Sequence, residues 1–244
     1  MTADYRSRFY ERYASTQTVP RKGTLTLQRA RRLARTWRAH FSRWLPPDRR
    51  ARILDVGSGD GALLWWLQQI GYINAAGVEV SGEQTAIAAS LGVRNLSNDP
   101  LERFLAKQTE NWDVVVLRNV LEHFTKTEIL AILELVHNAL RPGGRVIIQV
   151  PNGQSPFAGR IRYGDFTHEL AFTEASISQV LHVAGFTAVH CRPVRPIFLG
   201  PLAPFRTIAW CIVQFVYRMM LAAEVAAWPR VVTVDLLATA VRSE

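Results

Sequence analysis

The sequence has few of the features that mark secreted proteins, proteins with a structural zinc site or proteins that span a membrane. Only two of its 244 residues are cysteines, Cys191 and Cys211, and they form no CxxC pair, which argues against a disulfide framework and a structural zinc site. The N-terminal residues contain no apolar signal core. The uncharged run Thr207–Tyr217 is 11 residues long, whereas about 20 are needed to span a bilayer. We therefore expect a cytoplasmic protein without a membrane-spanning helix.

Lysine is also scarce, so arginine carries most of the positive charge, and that charge is unevenly distributed. Residues 1–52 hold 14 of the 29 basic residues but only three of the 20 acidic ones, giving +11 against −2 for the remainder. Such a field can attract a phosphorylated or lipid-diphosphate-linked substrate, an anionic membrane surface or RNA. A solvated helix face explains the charge equally well. Because no recognisable RNA-binding module accompanies it, we expect no nucleic-acid partner.

The most informative segment is Ile53–Gly61 (ILDVGSGDG), which predicts a short strand, a glycine-rich turn and the start of a helix over Ala62–Ile70. Backbone N–H groups at such a turn can hold a small polar cofactor. The glycines also fit the dinucleotide fingerprint G-x-G-x-x-G/A. Asp55, however, would repel a pyrophosphate and attract a cationic amino group. Glu79, which ends the apolar segment Ala75–Val80, could accept both hydroxyls of a ribose.

Further motifs follow in order: Asn98-Asp99-Pro100, the strand-like run Trp112–Leu117 with Arg118–His123 (RNVLEH) after it, and Leu140–Arg145 (LRPGGR) before the strand Val146–Val150 and Pro151-Asn152. Together with the glycine turn they cover about residues 50–152. In this combination the chain resembles the class I methyltransferases that depend on S-adenosylmethionine (SAM).

The resemblance implies an α/β fold with a doubly wound, mostly parallel seven-stranded sheet and SAM as the cofactor. We expect residues 1–50 to form a basic helical cap that is part of the same domain as the methyltransferase residues 51–244. Asp55, Gly57 and Gly59 would hold the methionine moiety, Glu79 the ribose and Asp99 the adenine, with Asn119 beside the methyl donor. The full set of expected cofactor-binding residues is Asp55, Gly57, Ser58, Gly59, Glu79, Val80, Asn98, Asp99, Arg118, Asn119 and Tyr13.

The N-terminal segment contains two aromatic patterns of helical period. Tyr5, Phe9 and Tyr13 recur every four residues and predict one helical face, with Tyr10 adjacent. Leu33, Trp37, Phe41 and Leu45 predict a second helix that ends at Pro46. In similar methyltransferases the first helix often closes over SAM, which would make Tyr10 and Tyr13 lid residues. Simple packing on the core explains them as well.

The substrate side is expected beyond the fifth strand, where open α/β sheets bind ligands. Residues 153–164 are predicted to form a loop, and Thr173 is predicted to cap a helix ending near Gly185. The expected substrate-binding residues are Tyr163, Asp165, Glu169 and Tyr10. The sequence Thr167–Glu169 (THE), followed by Phe172-Thr173, resembles a subgroup that methylates hydroxyls of quinone precursors and sugars. Many relatives in that subgroup act in bacterial polysaccharide pathways.

An alcohol acceptor needs a base, and histidine has a suitable pKa. We take His168 as the first candidate and His123 as the second, although either could instead be structural. Asp165, His168 and Glu169 could hold a divalent metal, but their spacing is not a metal signature, so no metal is expected. The predicted activity is O-methylation of a sugar or glycan intermediate. The alternatives are methylation of a phenolic quinone precursor or other small aromatic metabolite, and an inactive SAM-binding partner subunit.

The C-terminal third contains an unusual insertion. Strands are predicted over Phe186–Pro193 and Val231–Val241, and an apolar insert of about residues 197–229 separates them. Within it, the segment Pro204–Trp228 is predicted to be helical. Three interpretations stay open: the helix is a wall of the substrate pocket, a homodimer face, or a peripheral contact with the inner face of a membrane near a lipid-linked acceptor.

Overall fold

The structure is a computed structural model, and it describes residues 5–16 and 26–243. The extreme N-terminus, on which the absence of a signal core was judged, lies partly outside these residues. So do Arg21 and Lys22 of the basic segment.

One seven-stranded sheet forms the centre of the molecule. Its strands are β1 Ile53–Val56, β2 Ala75–Val78, β3 Leu96–Ser97, β4 Trp112–Arg118, β5 Leu140–Pro151, β6 Phe186–Pro193 and β7 Asp235–Arg242. The α-helices are α1 Tyr5–Tyr10, α2 Tyr13–Thr16, α3 Leu27–Phe41, α4 Ala62–Gln69, α5 Gly82–Ser90, α6 Leu101–Leu105, α7 Lys126–Ala139, α8 Ala158–Arg162, α9 Glu174–Val183 and α10 Ala203–Val225.

The strand order is β3-β2-β1-β4-β5-β7-β6. β1 to β5 pair in parallel, and β7 runs antiparallel to both of its neighbours, β5 and β6. The predicted class I methyltransferase architecture is therefore confirmed. The order reverses between β1 and β4, and open α/β sheets bind ligands outside the carboxyl ends of the strands at such a point.

Helices cover both faces of the sheet, which explains why the central strands are almost uninterrupted apolar runs. On one face α3 packs on α4, and the rings of Trp37 and Trp66 lie 6.1 Å apart between their centres. On the other face α7 and α9 contribute residues such as Leu133 and Ile177, both fully buried. The second predicted helix is thus confirmed, but it ends at Phe41 and continues as a 3₁₀ turn over Ser42–Trp44.

Three other predictions of local structure need correction. The first aromatic helix is broken by a turn at residues 11–12, so Tyr13 does not share a helix with Tyr5. The predicted loop over residues 153–164 contains the short helix α8. The last strand begins at Asp235 and not at Val231, because the Asn152 side-chain amide donates hydrogen bonds to the carbonyls of Val231 and Thr233, at 3.0 and 2.8 Å.

The predicted C-terminal helix is present as α10. It lies almost entirely on the surface and is not enclosed by the rest of the domain. Gln214 is its only buried residue. By length and composition α10 could cross a membrane, with a mean hydropathy of 1.5 in an 18-residue window that is 6% buried. The 11-residue run considered in the sequence understates this helix, because the apolar residues continue to Val225.

The turn before α4 offers a test of how closely the fold is packed. Gly61 has φ +73°, and a Cβ there would lie 2.6 Å from the Cβ of Ala88 in α5. Gly92 has φ +74° with nothing within 4 Å of its Cβ position. Gly92→Ala should therefore cost only the backbone strain of about 1–2 kcal/mol, whereas Gly61→Ala should cost about 1–3 kcal/mol more because of overpacking. Urea unfolding of both variants measures the difference, and equal losses would contradict it.

Candidate active site

A cavity of about 540 Å³ opens at the carboxyl edge of the parallel strands. Of the residues proposed from the sequence, the following line it: Tyr10, Tyr13, Gly57, Gly59, Glu79, Val80, Asp99, Arg118, Asn119, His123, Asp165 and His168. Five others, Asp55, Ser58, Asn98, Tyr163 and Glu169, do not. The Tyr163 side chain is 82% exposed, and the Glu169 carboxylate accepts a hydrogen bond from the Tyr5 hydroxyl.

The glycine turn is shaped by its neighbours. The N–H groups of Gly57 and Ser58 donate to the carbonyl of Val78 at 2.9 and 3.1 Å, which ties the turn to the end of β2. Gly57 has φ +64°, and a Cβ there would lie 2.6 Å from a methyl group of Val120. A side chain would therefore be both strained and excluded, and glycine leaves the backbone accessible to a ligand.

Asp55 lies within β1 and is 1% exposed. Its Oδ2 has no hydrogen-bond partner among the described residues. Burial raises the pKa of Asp55 to about 7, against the opposing effect of the Arg118 charge. A buried carboxylate oxygen without a donor is costly. Its position behind the glycine turn suits the attraction of a cationic amino group, although Asp55 does not itself line the cavity.

Glu79 links the two loops of the cofactor side. One carboxylate oxygen accepts the N–H of Gly59 at 2.8 Å, and the other accepts the N–H of Ser81 at 2.8 Å. Burial raises the pKa of Glu79, while these hydrogen bonds oppose the rise. Each oxygen retains acceptor capacity for a ribose hydroxyl. Asn98 supports this geometry from behind, because its amide donates to the Glu79 and Val80 carbonyls at 2.7 and 3.1 Å.

Two histidines meet at the other end of the cavity, with ring centres 4.7 Å apart. His168 Nδ1 lies 3.0 Å from the carbonyl oxygen of Ile161. Because a carbonyl only accepts, Nδ1 must carry the proton in the neutral ring, and Nε2 keeps its lone pair. His123 Nδ1 lies 2.8 Å from the Thr167 hydroxyl. That hydroxyl donates to Asp165, so it accepts from His123, whose Nε2 is likewise unprotonated.

Asp165 holds the residues around the two histidines in place through hydrogen bonds. It accepts hydrogen bonds from the Thr167 hydroxyl at 2.7 Å and from the Tyr13 hydroxyl at 2.8 Å. Burial raises the pKa of Asp165, but these hydrogen bonds outweigh it and bring the pKa to about 2. The carboxylate thus stays ionised and holds α2 against the acceptor side of the cavity. This geometry agrees with a lid role for Tyr13.

The two histidines differ in electrostatics. Burial, and then the neighbouring His168 charge, lower the pKa of His123 to about 4. His123 therefore remains neutral near pH 7 and is a weak proton acceptor. Glu122 beside it is fully buried, and burial raises its pKa well above the usual value. Both Glu122 oxygens lack a partner among the described residues.

Ligating atoms of Glu122, His123 and His168 lie within 4.8 Å of one another. This is the set in the described chain whose geometry could accept a divalent metal, with both Nδ1 atoms already fixed by hydrogen bonds. The combination of Asp165, His168 and Glu169 considered from the sequence is not the one that the fold assembles.

Several lining residues were missed in the sequence. Among them are Gln84, Arg160 and Asp235. Asp235 accepts a hydrogen bond from the Gln149 amide at 2.8 Å. Its position could have been predicted, because β7 is antiparallel and its first residue must lie at the carboxyl edge of the parallel strands. For Arg160, which lies on α8, we find no signal in the sequence.

Comparison with known families identifies the function that this geometry serves. A family model described as a methyltransferase domain matches residues 27–191. The chain belongs to this methyltransferase family. Its cofactor is SAM, and the orphan oxygen of Asp55, the acceptors of Glu79 and the open glycine turn fit that molecule. No curated protein matches the sequence significantly.

Solved structures support the same fold for this methyltransferase. A SAM-dependent methyltransferase from Archaeoglobus fulgidus aligns with a TM-score of 0.64 at 17% identity, covering 87% of this chain and 94% of that one. A Haloferax volcanii putative methyltransferase, in complex with the Trm112 activator, gives a TM-score of 0.62 at 17% identity, with coverage of 89% and 95%. Haemonchus contortus phosphoethanolamine N-methyltransferase 2, solved with SAM, gives 0.55 at 16% identity and covers 93% and 60%.

The raised pKa of Asp55 predicts a pH dependence with a definite sign. The unfolded Asp55 ionises near its usual pKa and the folded one only near 7, so the ligand-free methyltransferase loses stability between those values as the pH rises. Asp55→Asn removes this loss, and should make the variant more stable relative to the wild type at about pH 8 than at about pH 5. Denaturant unfolding at both pH values, with the exposed Asp48→Asn as control, measures the effect.

The binding of the reaction product should strengthen as the pH rises, whereas the stability of the ligand-free protein falls. S-adenosylhomocysteine (SAH), the demethylated product, should stabilise the wild type more at the higher pH, where Asp55 is ionised, and Asp55→Asn should lose this gain. The same pH response in the variant and the wild type would contradict the role of Asp55.

Proposed function

We propose that this methyltransferase transfers the methyl group to a hydroxyl oxygen, with His168 as proton acceptor. The observation that carries the proposal is the fixed tautomer of His168. Its Nδ1–H is held by the Ile161 carbonyl at 3.0 Å, which leaves Nε2 unprotonated in a residue that lines the cavity. A hydroxyl acceptor requires a base of this kind, because an un-ionised alcohol is a poor nucleophile.

When bound, SAM supplies a methyl group on a positively charged sulfur. The residues around the glycine turn and Glu79 fix the donor end, and His168 acts at the acceptor end. His168 Nε2 takes the proton of the acceptor hydroxyl, and the oxygen would receive the methyl group that SAM supplies, with the sulfur leaving as a neutral thioether. Alignment of these atoms within one cavity can provide much of the rate acceleration.

His123 has a positioning role in this scheme. Its low pKa keeps the His123 ring neutral. When His168 takes up a proton, the neighbouring His123 ring therefore carries no positive charge that would repel it. Its hydrogen bond to Thr167 continues to Asp165 and Tyr13. A chain of hydrogen bonds therefore couples α2 to His123, whose ring contacts that of His168.

For the acceptor we propose a sugar or glycan intermediate. The preference for a sugar follows from the resemblance of Thr167–Glu169 and Phe172-Thr173 to sugar and quinone-precursor methyltransferases, while the preference for oxygen follows from His168. Polar groups such as Arg160 and Asp235 in the wall offer partners for further hydroxyls. A phenolic acceptor is the second candidate, because Tyr10 and Tyr13 give the cavity an aromatic side. We place the reaction in the cytoplasm.

The effect of replacing His168 should differ between a sugar acceptor and a phenolic acceptor. A phenol ionises near pH 10, far more readily than an aliphatic alcohol, and depends less on a base. His168→Ala should lower kcat by about 10²–10⁴-fold on a sugar acceptor and by less on catechol. The control is His182→Ala, an exposed histidine of α9 outside the cavity. Turnover is measured by methyl transfer to a panel of hexoses, methyl glycosides and catechols.

Three results would overturn the assignment. Unchanged turnover of the sugar by His168→Ala would remove His168 as the base. Loss of activity with a chelator, and its recovery with Mg²⁺ or Mn²⁺, would mean that Glu122, His123 and His168 bind a metal. SAH binding without turnover of any acceptor would favour the inactive partner subunit.

A further inference from the structure

The exposed surface of α10 is the largest feature that the proposed function leaves unexplained. Its outward apolar side chains include Phe205, Ile208, Ile212, Phe215, Met219 and Met220, which are 49–71% exposed. None of them lines the cavity, so α10 is not the substrate-pocket wall that was one interpretation of the sequence. A continuous apolar surface of this kind marks an interaction site.

The polar side of α10 faces its own domain, which reverses the usual arrangement of a surface helix. The Gln214 amide donates to the carbonyl of Val232 at 3.3 Å. The Arg218 guanidinium donates to the carbonyls of Pro229 and Arg230 at 3.0 and 3.1 Å. At 100° per residue, Phe205, Ile212 and Val216 lie on the opposite side from Gln214. The helix is thus attached through its polar residues and presents its apolar residues outward.

The connections of α10 exclude a membrane-spanning orientation. The helix is long enough to span, at about 1.5 Å per residue, but nine residues on each side (194–202 and 226–234) join it to β6 and β7. These strands pair directly, with Pro193 opposite Leu236. If α10 crossed a bilayer, one connection would have to return through the hydrocarbon as irregular chain, which leaves backbone groups unsatisfied. An orientation along the surface avoids this.

The charges around α10 favour an anionic surface as its partner. Between residues 194 and 232 there are four arginines, at 195, 206, 218 and 230, and a single acid, Glu224. Arg206 lies in the first turn of α10, Arg230 follows the helix by five residues and Arg195 precedes it by eight, and all three are exposed. Trp228, next to Arg230, is 55% exposed. Basic residues and tryptophan at the borders of an apolar face are typical of interfacial helices. An anionic surface neutralises this positive charge, whereas a second copy of the chain would add to it.

We propose that α10 lies in the surface of an anionic lipid bilayer and anchors the methyltransferase there as a peripheral protein. The outward apolar face enters the boundary of the acyl chains, and the flanking arginines contact lipid phosphates. The segment that Gln214 and Arg218 hold continues directly to Val234 and Asp235 of the cavity wall. The membrane contact is therefore adjacent in the chain to the catalytic cavity. The proposal does not depend on the acceptor being a sugar.

Co-sedimentation with vesicles tests the anchor. We expect the full chain to bind phosphatidylcholine vesicles that contain about 30% phosphatidylglycerol, and to bind pure phosphatidylcholine much less. The double variant Ile212→Asp/Met219→Asp should lower the partition coefficient by about tenfold or more. The control is Thr207→Asp, compared with Ile212→Asp alone, because it adds one charge at an exposed position that lies on the Gln214 side of α10 by the helical period. It should bind within about twofold of the wild type.

The variants also provide their own control for folding, because α10 contributes nothing to the cavity and SAH binding should be unchanged in all of them. Three outcomes would overturn the proposal. They are absence of binding to anionic vesicles, equal binding by the outward double variant, and light scattering that shows a dimer converted to a monomer by that variant. The last result would assign the apolar face to a second copy.

Discussion

The cofactor side of this methyltransferase depends on one buried carboxylate, that of Glu79. Its two oxygens accept backbone N–H groups from the glycine turn and from the start of α5, each at 2.8 Å. Together with the hydrogen bonds from Gly57 and Ser58 to the Val78 carbonyl, these hydrogen bonds hold the loops that follow β1 and β2 in one arrangement. Burial disfavours the charged form of Glu79 and raises its pKa. Ionisable groups with a shifted pKa in a cleft are typical of functional sites.

A second polar network performs the same task on the acceptor side. Tyr13 and Thr167 donate to Asp165, and Thr167 in turn accepts from His123. The network joins an N-terminal helix, the loop after α8 and the segment after β4. Glu122 adds a backbone link, because its carbonyl accepts the N–H of Glu169 at 2.7 Å. The acceptor end is thus assembled from segments that are far apart in sequence.

Local patterns predicted much of this structure. The strand and glycine turn at residues 53–61, and the N-cap at Thr173, depend on neighbouring residues, and the structure confirms them. The grouping of Glu122 with His123 and His168 depends on two loops packing together, which no spacing reveals. The outward apolar face of α10 was equally hidden, because hydrophobicity indicates that a surface needs a partner but does not indicate which partner.

The central claim is that the glycine turn binds the methionine moiety of SAM and Glu79 binds its ribose. Calorimetric titration with SAH tests it most directly. We expect micromolar binding, no binding of NAD, and a loss of about tenfold or more for Glu79→Gln. The amide would place a donor against the N–H groups of Gly59 or Ser81. The exposed Glu102→Gln is the control and should bind as the wild type does. Absence of SAH binding, or equal affinity in Glu79→Gln, would contradict the account.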